Sequence, residues 1–325
     1  MRAVLCPELG SVRNLTVGEA PSPVLREGSV RIGVKAAGVN FPDILMSEGK
    51  YQVKPALPFT PGLEVAGMVL ECAPGVTHVQ PGDRVMAFAR HGGGFAAEIV
   101  LPGGIVTPMP AAMDFVTGAA FPVAYGTAHF ALTHRGYLRP GEWLLVLGAT
   151  GGVGIAAIEV GKLLGARVIA AAGTDEKCTI AREIGADATV NYATEPLRDR
   201  VREITSGHGA DVVFDPVGGD AFAQSVRCIA WEGRILIIGF ASGEIAQAAT
   251  NMILVKNFSV IGAVFGEHSD HFPDETRERL TAILPEVAAG RLKPRVWKTF
   301  PLERVQDALR EIADRKVIGK MVLTV

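Results

Sequence analysis

Trp143-Leu144-Leu145-Val146-Leu147-Gly148-Ala149-Thr150-Gly151-Gly152-Val153-Gly154 is the stretch on which the reading of this chain turns. The apolar run Trp143–Leu147 predicts a buried strand, and Val153, Ala156, Ala157, Val160 and Leu164 fall on one stripe of a following helix. Between them Gly148, Gly151 and Gly154 fit G-x-x-G-x-x-G, a variant of the dinucleotide-binding fingerprint. Glycines there permit a tight turn, a close backbone approach to a pyrophosphate and close helix–strand packing, while the helix N-terminus faces the phosphates. Ala149, Thr150, Gly151, Gly152, Val153 and Gly154 are therefore the candidate pyrophosphate contacts. A glycine-rich heptad alone is weak; its setting between a strand and a helix gives it meaning.

The residues beyond it extend that setting. Strands are expected at Arg167–Ala172, Thr189–Asn191, Asp211–Asp215, Arg234–Ile238 and Phe258–Ala263. Helices are expected over Asp175–Ile184, Leu197–Thr205 and Asp220–Ile229. Strand and helix alternate as in a doubly wound parallel sheet, a Rossmann domain over residues 122–265. The first ~120 residues have a different grammar. Pro58, Pro61-Gly62, Pro74-Gly75, Pro81-Gly82 and Pro102-Gly103 separate short runs at Val30–Ala36, Val65–Val69 and Phe95–Val100, and Met1–Leu5 reads as an edge strand. This part reads as an antiparallel β-barrel with few helices. The tail predicts a helix near Asp274–Ala289, a strand at Val296–Phe300, a helix from Leu302 to Arg315 and a strand at Gly319–Leu323. It is expected to rejoin the barrel, giving an α/β protein with one domain of residues 1–121 and 266–325 and a second of 122–265.

Composition narrows the partners. The chain has 325 residues, 48% of them hydrophobic, with 32 basic against 34 acidic side chains and a net charge of −2, so wholesale disorder is excluded and no large field favours nucleic acid or an anionic membrane. Cys6, Cys72, Cys178 and Cys228 are far apart and form no C-x-x-C, which argues against a disulfide framework or a structural zinc site. No signal peptide opens the sequence, and the least charged stretch, Trp143–Ile158, falls short of the ~20 residues a membrane span requires. A cytoplasmic protein with reduced thiols is expected.

Cofactor choice is read at the end of the second Rossmann strand, where an NAD site places Asp or Glu on the ribose 2′-hydroxyl. Here stand Gly173 and Thr174, with Lys177 close behind. Glycine leaves room for a 2′-phosphate that Thr174, Lys177 and the helix N-terminus can bind, so NADPH is the expected cofactor. Asp175 and Glu176 either oppose that phosphate or turn outward, and Lys177 as a plain surface lysine remains open.

Beyond the fingerprint, the chain contains Ala37-Gly38-Val39-Asn40-Phe41-Pro42-Asp43, Pro61-Gly62-Leu63-Glu64-Val65-Ala66-Gly67, Pro81-Gly82-Asp83-Arg84-Val85 and Asp215-Pro216-Val217-Gly218-Gly219. With these motifs it resembles the zinc-free quinone oxidoreductase branch of the medium-chain dehydrogenase/reductase superfamily over essentially its whole length. The resemblance implies a GroES-like catalytic domain, a Rossmann domain, a cleft between them for nicotinamide and substrate, and a homodimer. Zinc-dependent relatives bind their metal with the Cys of G-V-C-x-x-D and the His of G-H-E. This chain has Asn40 and Leu63 there, so no metal is expected. His268 and His271 form an H-x-x-H pair read as two loop histidines.

Without a Lewis acid, an electron-poor acceptor is the chemistry left: a quinone or α,β-unsaturated carbonyl takes a hydride with help from hydrogen bonds alone. The resemblance implies Asn40 and Asp43 at the cleft, with Asn40 near nicotinamide or substrate; Asp43 as a mere cap of the next helix is the rival. It also implies Tyr51 as a donor to a developing oxyanion and Thr127 near nicotinamide. Tyr51 as a core tyrosine and Thr127 as a helix threonine bonding its own backbone are the alternatives. For the cofactor it points to Tyr192 beside the 2′-phosphate and Val217 on the adenine side. Ile238-Gly239-Phe240 and Val264-Phe265 would bring backbone groups to the nicotinamide, and their apolar members are equally readable as core. Many members carry a tyrosine two positions after the aspartate where this chain has Leu45, which weakens transfer of quinone specificity. Three readings follow: an NADPH-dependent zinc-free reductase of quinones or other conjugated carbonyls; an acryloyl-CoA-type enoyl-thioester reductase; and a non-catalytic NADPH-binding structural or RNA-binding protein.

Overall fold

A computed structural model describes all 325 residues. The chain begins with an antiparallel pair, β1 (Arg2–Leu5) and β2 (Thr16–Glu19). There follow β3 (Ser29–Val39), α1 (Phe41–Ser47), β4 (Glu64–Cys72), β5 (Arg84–Phe88), β6 (Glu98–Pro102), β7 (Val106–Pro108) and α2 (Phe115–Ala119). Strand β3 runs past the expected Ala36, through Ala37, Gly38 and Val39. Ala36 and Ala37 are both fully buried, so the alternation that marks a half-exposed strand disappears there. The expected strand at Phe95–Val100 starts later, at Glu98. Phe95 and Ala97 instead serve β1, through Val4 N–H to Phe95 O (2.8 Å) and Ala97 N–H to Arg2 O (2.9 Å).

Helix α3 (Pro122–His129) leads to β8 (Trp143–Val146), α4 (Gly152–Leu163), β9 (Arg167–Ala172), α5 (Asp175–Ile184), β10 (Ala188–Asn191) and α6 (Leu197–Ile204). Then come β11 (Ala210–Asp215), α7 (Gly219–Cys228), β12 (Ile229–Ile237), α8 (Thr250–Lys256) and β13 (Ser259–Gly262). The strands form a parallel six-stranded sheet in the order β10-β9-β8-β11-β12-β13. This is a Rossmann sheet: the order reverses between β8 and β11, and ligands of such sheets bind outside the strand C-termini at that switch. Helix α4 is buried from Gly154 to Gly161 and not along a single stripe, as its largely uncharged sequence permits. Leu145, Ile169, Val190, Val213 and Ile235 join the core of this layer.

The tail supplies α9 (Phe265–His271), α10 (Pro273–Ala288), β14 (Val296–Pro301), α11 (Val305–Ala313) and β15 (Lys320–Thr324). Strand β15 pairs antiparallel with β3 and parallel with β14, completing a seven-stranded sheet with path β14-β15-β3-β4-β5-β7 and β6 also on β3. The parallel β14–β15 pair departs from a purely antiparallel arrangement. One compact unit comprises Met1–Val123, Gly266–Gly290 and Pro294–Val325, and a second comprises Ala124–Phe265 with Arg291–Lys293. His268 and His271 lie on helix α9, which corrects their reading as loop residues. The polar Gly-Glu-His-Ser-Asp-His run hides a helix anchored by buried Phe265. The expected helix from Leu302 to Arg315 opens as a 3-10 turn (Leu302–Arg304), and α11 stops at Ala313, before Arg315 with its φ of +57°. No helix is long and apolar enough to cross a membrane.

Candidate active site

The fingerprint turn follows β8 at the switch point of the second unit. Gly148 has a φ of +57°, and its N-terminal neighbours hand the chain to a turn closed by Gly151 N–H to Gly148 O (3.0 Å). A Cβ on Gly154 would lie 2.4 Å from Gly148 O and 2.8 Å from Ala149 backbone atoms, so only glycine fits. A Cβ on Gly151 would have one neighbour, Gly148 O at 3.4 Å, which leaves open space over the backbone. Gly151 caps twelve-residue α4, whose first turn contains Gly152, Val153 and Gly154, while Ala149 and Thr150 are buried beneath. Free N–H groups and the positive end of the helix dipole converge on this cradle.

At the end of β9, a Cβ on Gly173 would come no closer than 3.6 Å to the Tyr192 ring. Thr174 caps α5 by accepting the Lys177 N–H (3.2 Å). Asp175 Oδ1 accepts a bond from Asn191 Nδ2 (2.7 Å), so that carboxylate is held by the neighbouring strand. Gly173, Thr174, Lys177 and Tyr192 thus form one small surface beside the cradle, at the ends of β9 and β10.

The next two strand ends meet the cradle from the other side. Asp215 Oδ1 accepts N–H bonds from Val217 and Gly218 (2.8 Å each), while its Oδ2 has no partner and burial raises its pKa. Val217 would lie 3.1 Å from a Cβ on Gly148. Ile238 and Gly239 donate to Asp215 O (2.9 and 3.4 Å), and exposed Phe240 lies against Gly218, next to Val217. Val264 is exposed at the end of β13, whereas the Phe265 ring is buried against Phe130, with ring centroids 5.9 Å apart. Thr127 is buried on α3. The preceding Tyr125 donates its hydroxyl to Glu159 Oε2 on α4 (2.6 Å), and Lys293 N–H donates to the same oxygen (2.9 Å). Burial raises the pKa of both Tyr125 and Glu159, and the pair ties α3 to the fingerprint helix.

The first unit holds Asn40 and Asp43 in a buried polar cluster. Asn40 opens α1, and its N–H donates to Asp43 Oδ2 (2.7 Å); Asp43 Oδ1 accepts the Gly62 N–H (3.0 Å). Asp43 is wholly enclosed, and burial is the main cause that pushes its pKa up to about 7. Its carboxyl braces the start of α1 against the Gly62 turn, so the capping interaction is present. Asn40 Nδ2 donates to Glu64 Oε1 (3.0 Å) and Gly38 O (3.3 Å), and its Oδ1 accepts from Lys320 Nζ (2.5 Å). Lys320 Nζ also lies 2.5 Å from Glu64 Oε1, and Glu64 Oε2 accepts the Val123 N–H (2.9 Å). Gly38 makes room: a Cβ there would lie 2.4 Å from Glu64 Oε1. Tyr51 is half-buried, with its pKa raised chiefly by burial, and Arg90 and Asp43 are the charges that act on it. Leu45 is also half-buried.

Sequence reasoning assigned no role to Lys320, Glu159 or the Asp215 carboxylate. Lys320 carried a legible signal, a charged residue leading the apolar run Met321–Leu323, and Glu159 another, the one charged side chain in Gly152–Gly161.

Residues 26–111 match the alcohol dehydrogenase GroES-like domain family, and residues 152–282 match the zinc-binding dehydrogenase family. The chain belongs to the medium-chain dehydrogenase/reductase superfamily and is an oxidoreductase of the quinone oxidoreductase type. It is 44% identical to quinone oxidoreductase-like protein 2 homolog of Nematostella vectensis, over 99% of this chain and 88% of that one. It is 41% identical to quinone oxidoreductase-like protein 2 of Bos taurus, over 99% and 92%. Among solved structures, Escherichia coli quinone oxidoreductase complexed with NADPH superposes with a TM-score of 0.92 at 28% identity, covering all of both chains.

The matched family description implies a zinc ion, and the donor set here does not suit one. Leu63 is aliphatic and buried, and Asn40 Oδ1 already faces an ammonium. No group of three or more His, Cys, Asp or Glu side chains is placed to share a metal. The glycine cradle and the Gly173 surface, by contrast, suit a dinucleotide with a 2′-phosphate.

Proposed function

We propose that this chain is an NADPH-dependent reductase of quinones or other α,β-unsaturated carbonyl compounds that works without zinc. The observation that carries the reading is the open backbone cradle of Gly148–Gly154 beside a Gly173 surface where the Asp175 carboxylate is tied to Asn191. Ala149 to Gly154 would hold the pyrophosphate on backbone N–H groups; Gly173, Thr174, Lys177 and Tyr192 would receive the 2′-phosphate. Val217, Ile238, Gly239, Phe240, Val264 and Phe265 would flank the adenine and nicotinamide ends with backbone and apolar surface, and Thr127 would approach the nicotinamide. NADPH supplies a hydride when bound. The protein's part is to hold an electron-poor acceptor in reach, with Tyr51 donating to the oxygen on which charge develops and Asn40 and Asp43 fixing the first turn of α1.

The unpaired edge of β13 supports a homodimer paired along that edge. Free cysteines, three of them buried, accord with a cytoplasmic setting. The function is tested by following NADPH oxidation with 1,4-benzoquinone, an alkyl enone and crotonyl-CoA. Turnover of the first two supports the proposal. Turnover of crotonyl-CoA alone points to the enoyl-thioester reductase, and tight NADPH binding with no turnover points to the non-catalytic reading.

A further inference from the structure

We propose that Lys320 is the resident cation of the first unit's polar cluster: its ammonium fixes the Asn40 carboxamide, neutralises Glu64 and closes these oxygens to a divalent metal. The inference rests on the reductase reading for its functional meaning and on geometry for its substance.

An ammonium carries three protons and accepts none. Lys320 spends all three inside the cluster, on Asn40 Oδ1 (2.5 Å), Glu64 Oε1 (2.5 Å) and Val39 O (3.3 Å). The Asn40 amide hydrogens go to Glu64 Oε1 and Gly38 O. The orientation of the amide is thereby determined, because a flipped carboxamide would set its NH2 against the ammonium and its oxygen against a carboxylate. Lys320 and Glu64 are both buried, and a charge in that position persists only when paired and fully hydrogen-bonded. The fold delivers the lysine deliberately. Gly319 has a φ of +93°, a Cβ there would lie 2.3 Å from Arg295 O, and Lys320 N–H donates to that same carbonyl (2.9 Å). Strand β15 then aligns Met321 with Val39, one residue from Asn40. Convergent carboxamide, carboxylate and carbonyl oxygens form the kind of set that suits a hard cation. Here an amino acid fills it, and a metal ion would face a positive charge within bonding distance. Lys320 acts through Asn40 and is a positioning residue.

The test compares wild type with Lys320→Met, Lys320→Arg, Glu64→Gln and the double variant Lys320→Met/Glu64→Gln, each checked for fold by circular dichroism and for NADPH affinity. With 1,4-benzoquinone, Lys320→Met is expected to lose about tenfold or more in kcat while the NADPH Kd stays within about twofold, and Lys320→Arg is expected to recover part of that loss. If Lys320→Met alone fails to fold, the double variant, which removes both charges together, is read for the same drop in kcat. In equilibrium dialysis against Zn2+ and Mn2+, wild type and Glu64→Gln are expected to take up equal amounts. Wild-type kcat in Lys320→Met or in the double variant would overturn the proposal. So would a metal equivalent in the wild type that Glu64→Gln abolishes. If wild type reduces no acceptor, the reductase reading fails, and a metal equivalent in the wild type that Glu64→Gln abolishes would still overturn the proposal on its own.

Discussion

Asp43 is the group whose titration the fold makes measurable. Its carboxyl is wholly buried, accepts N–H bonds from Asn40 and Gly62, and lies near Lys320, which favours its charge, and Glu64, which opposes it. Burial wins, raising its pKa from 3.8 to about 7. A carboxyl with a raised folded-state pKa binds its proton more tightly in the native protein. Its contribution to stability is fully present below 3.8 and disappears as pH rises through about 7. Linkage over that window makes the first unit about 3 kcal/mol less stable at pH 8 than at pH 5 on account of this group alone. Asp43→Asn removes the titration. It also turns one N–H acceptor into a donor, at a pH-independent cost of about 1–3 kcal/mol. Urea unfolding at pH 5, 6, 7 and 8 checks both effects. The wild-type midpoint should fall with rising pH, and the variant should start lower and change less. Equal pH dependence in the two proteins would refute the assignment of the burial penalty to Asp43.

Three other outcomes follow from the cofactor unit. Gly173→Asp adds a carboxylate with no protein atom nearer than 3.6 Å to its Cβ, so the fold should tolerate it. Like-charge opposition should cut the NADPH-over-NADH preference by about tenfold or more, read from the two Kd values. An unchanged preference would remove the 2′-phosphate from this surface. Gly154→Ala forces a Cβ to within 2.4 Å of Gly148 O, and NADPH titration should show an affinity loss of at least about tenfold, ~1.4 kcal/mol. Tyr125→Phe leaves Glu159 with the Lys293 N–H alone and should lower stability by about 1.5–3 kcal/mol in chemical denaturation, as for a lost bond to a charged group.

The Rossmann half was legible because its signals are local. Trp143–Leu147, the glycine turn and the later apolar runs each declare themselves within a few residues, and the strand order then follows from the rules for parallel sheets. Where a segment owes its structure to tertiary neighbours, the sequence was opaque. Helix α9 looks like a polar loop until Phe265 is seen buried against Phe130, and the second half of β3 loses its alternation because both its faces are covered. The glycines of the fingerprint turn are dictated locally, by a positive φ at Gly148 and by the 2.4 Å approach of Gly148 O at Gly154. The polar cluster could not. Asn40, Glu64 and Lys320 meet only because β15 returns to pair with β3, and nothing local to Gly319-Lys320 announces its partners. Asn40 and Asp43 were singled out through resemblance, and the bonds that occupy their side chains became visible only in three dimensions.

Reduction of a conjugated acceptor by NADPH with no metal taking part is tested most directly on metal-free protein. Protein stripped with a strong chelator and verified metal-free should oxidise NADPH in the presence of 1,4-benzoquinone at the rate of the untreated sample, and added zinc should not raise it. Loss of that rate on stripping, with recovery on one equivalent of zinc, would contradict the account.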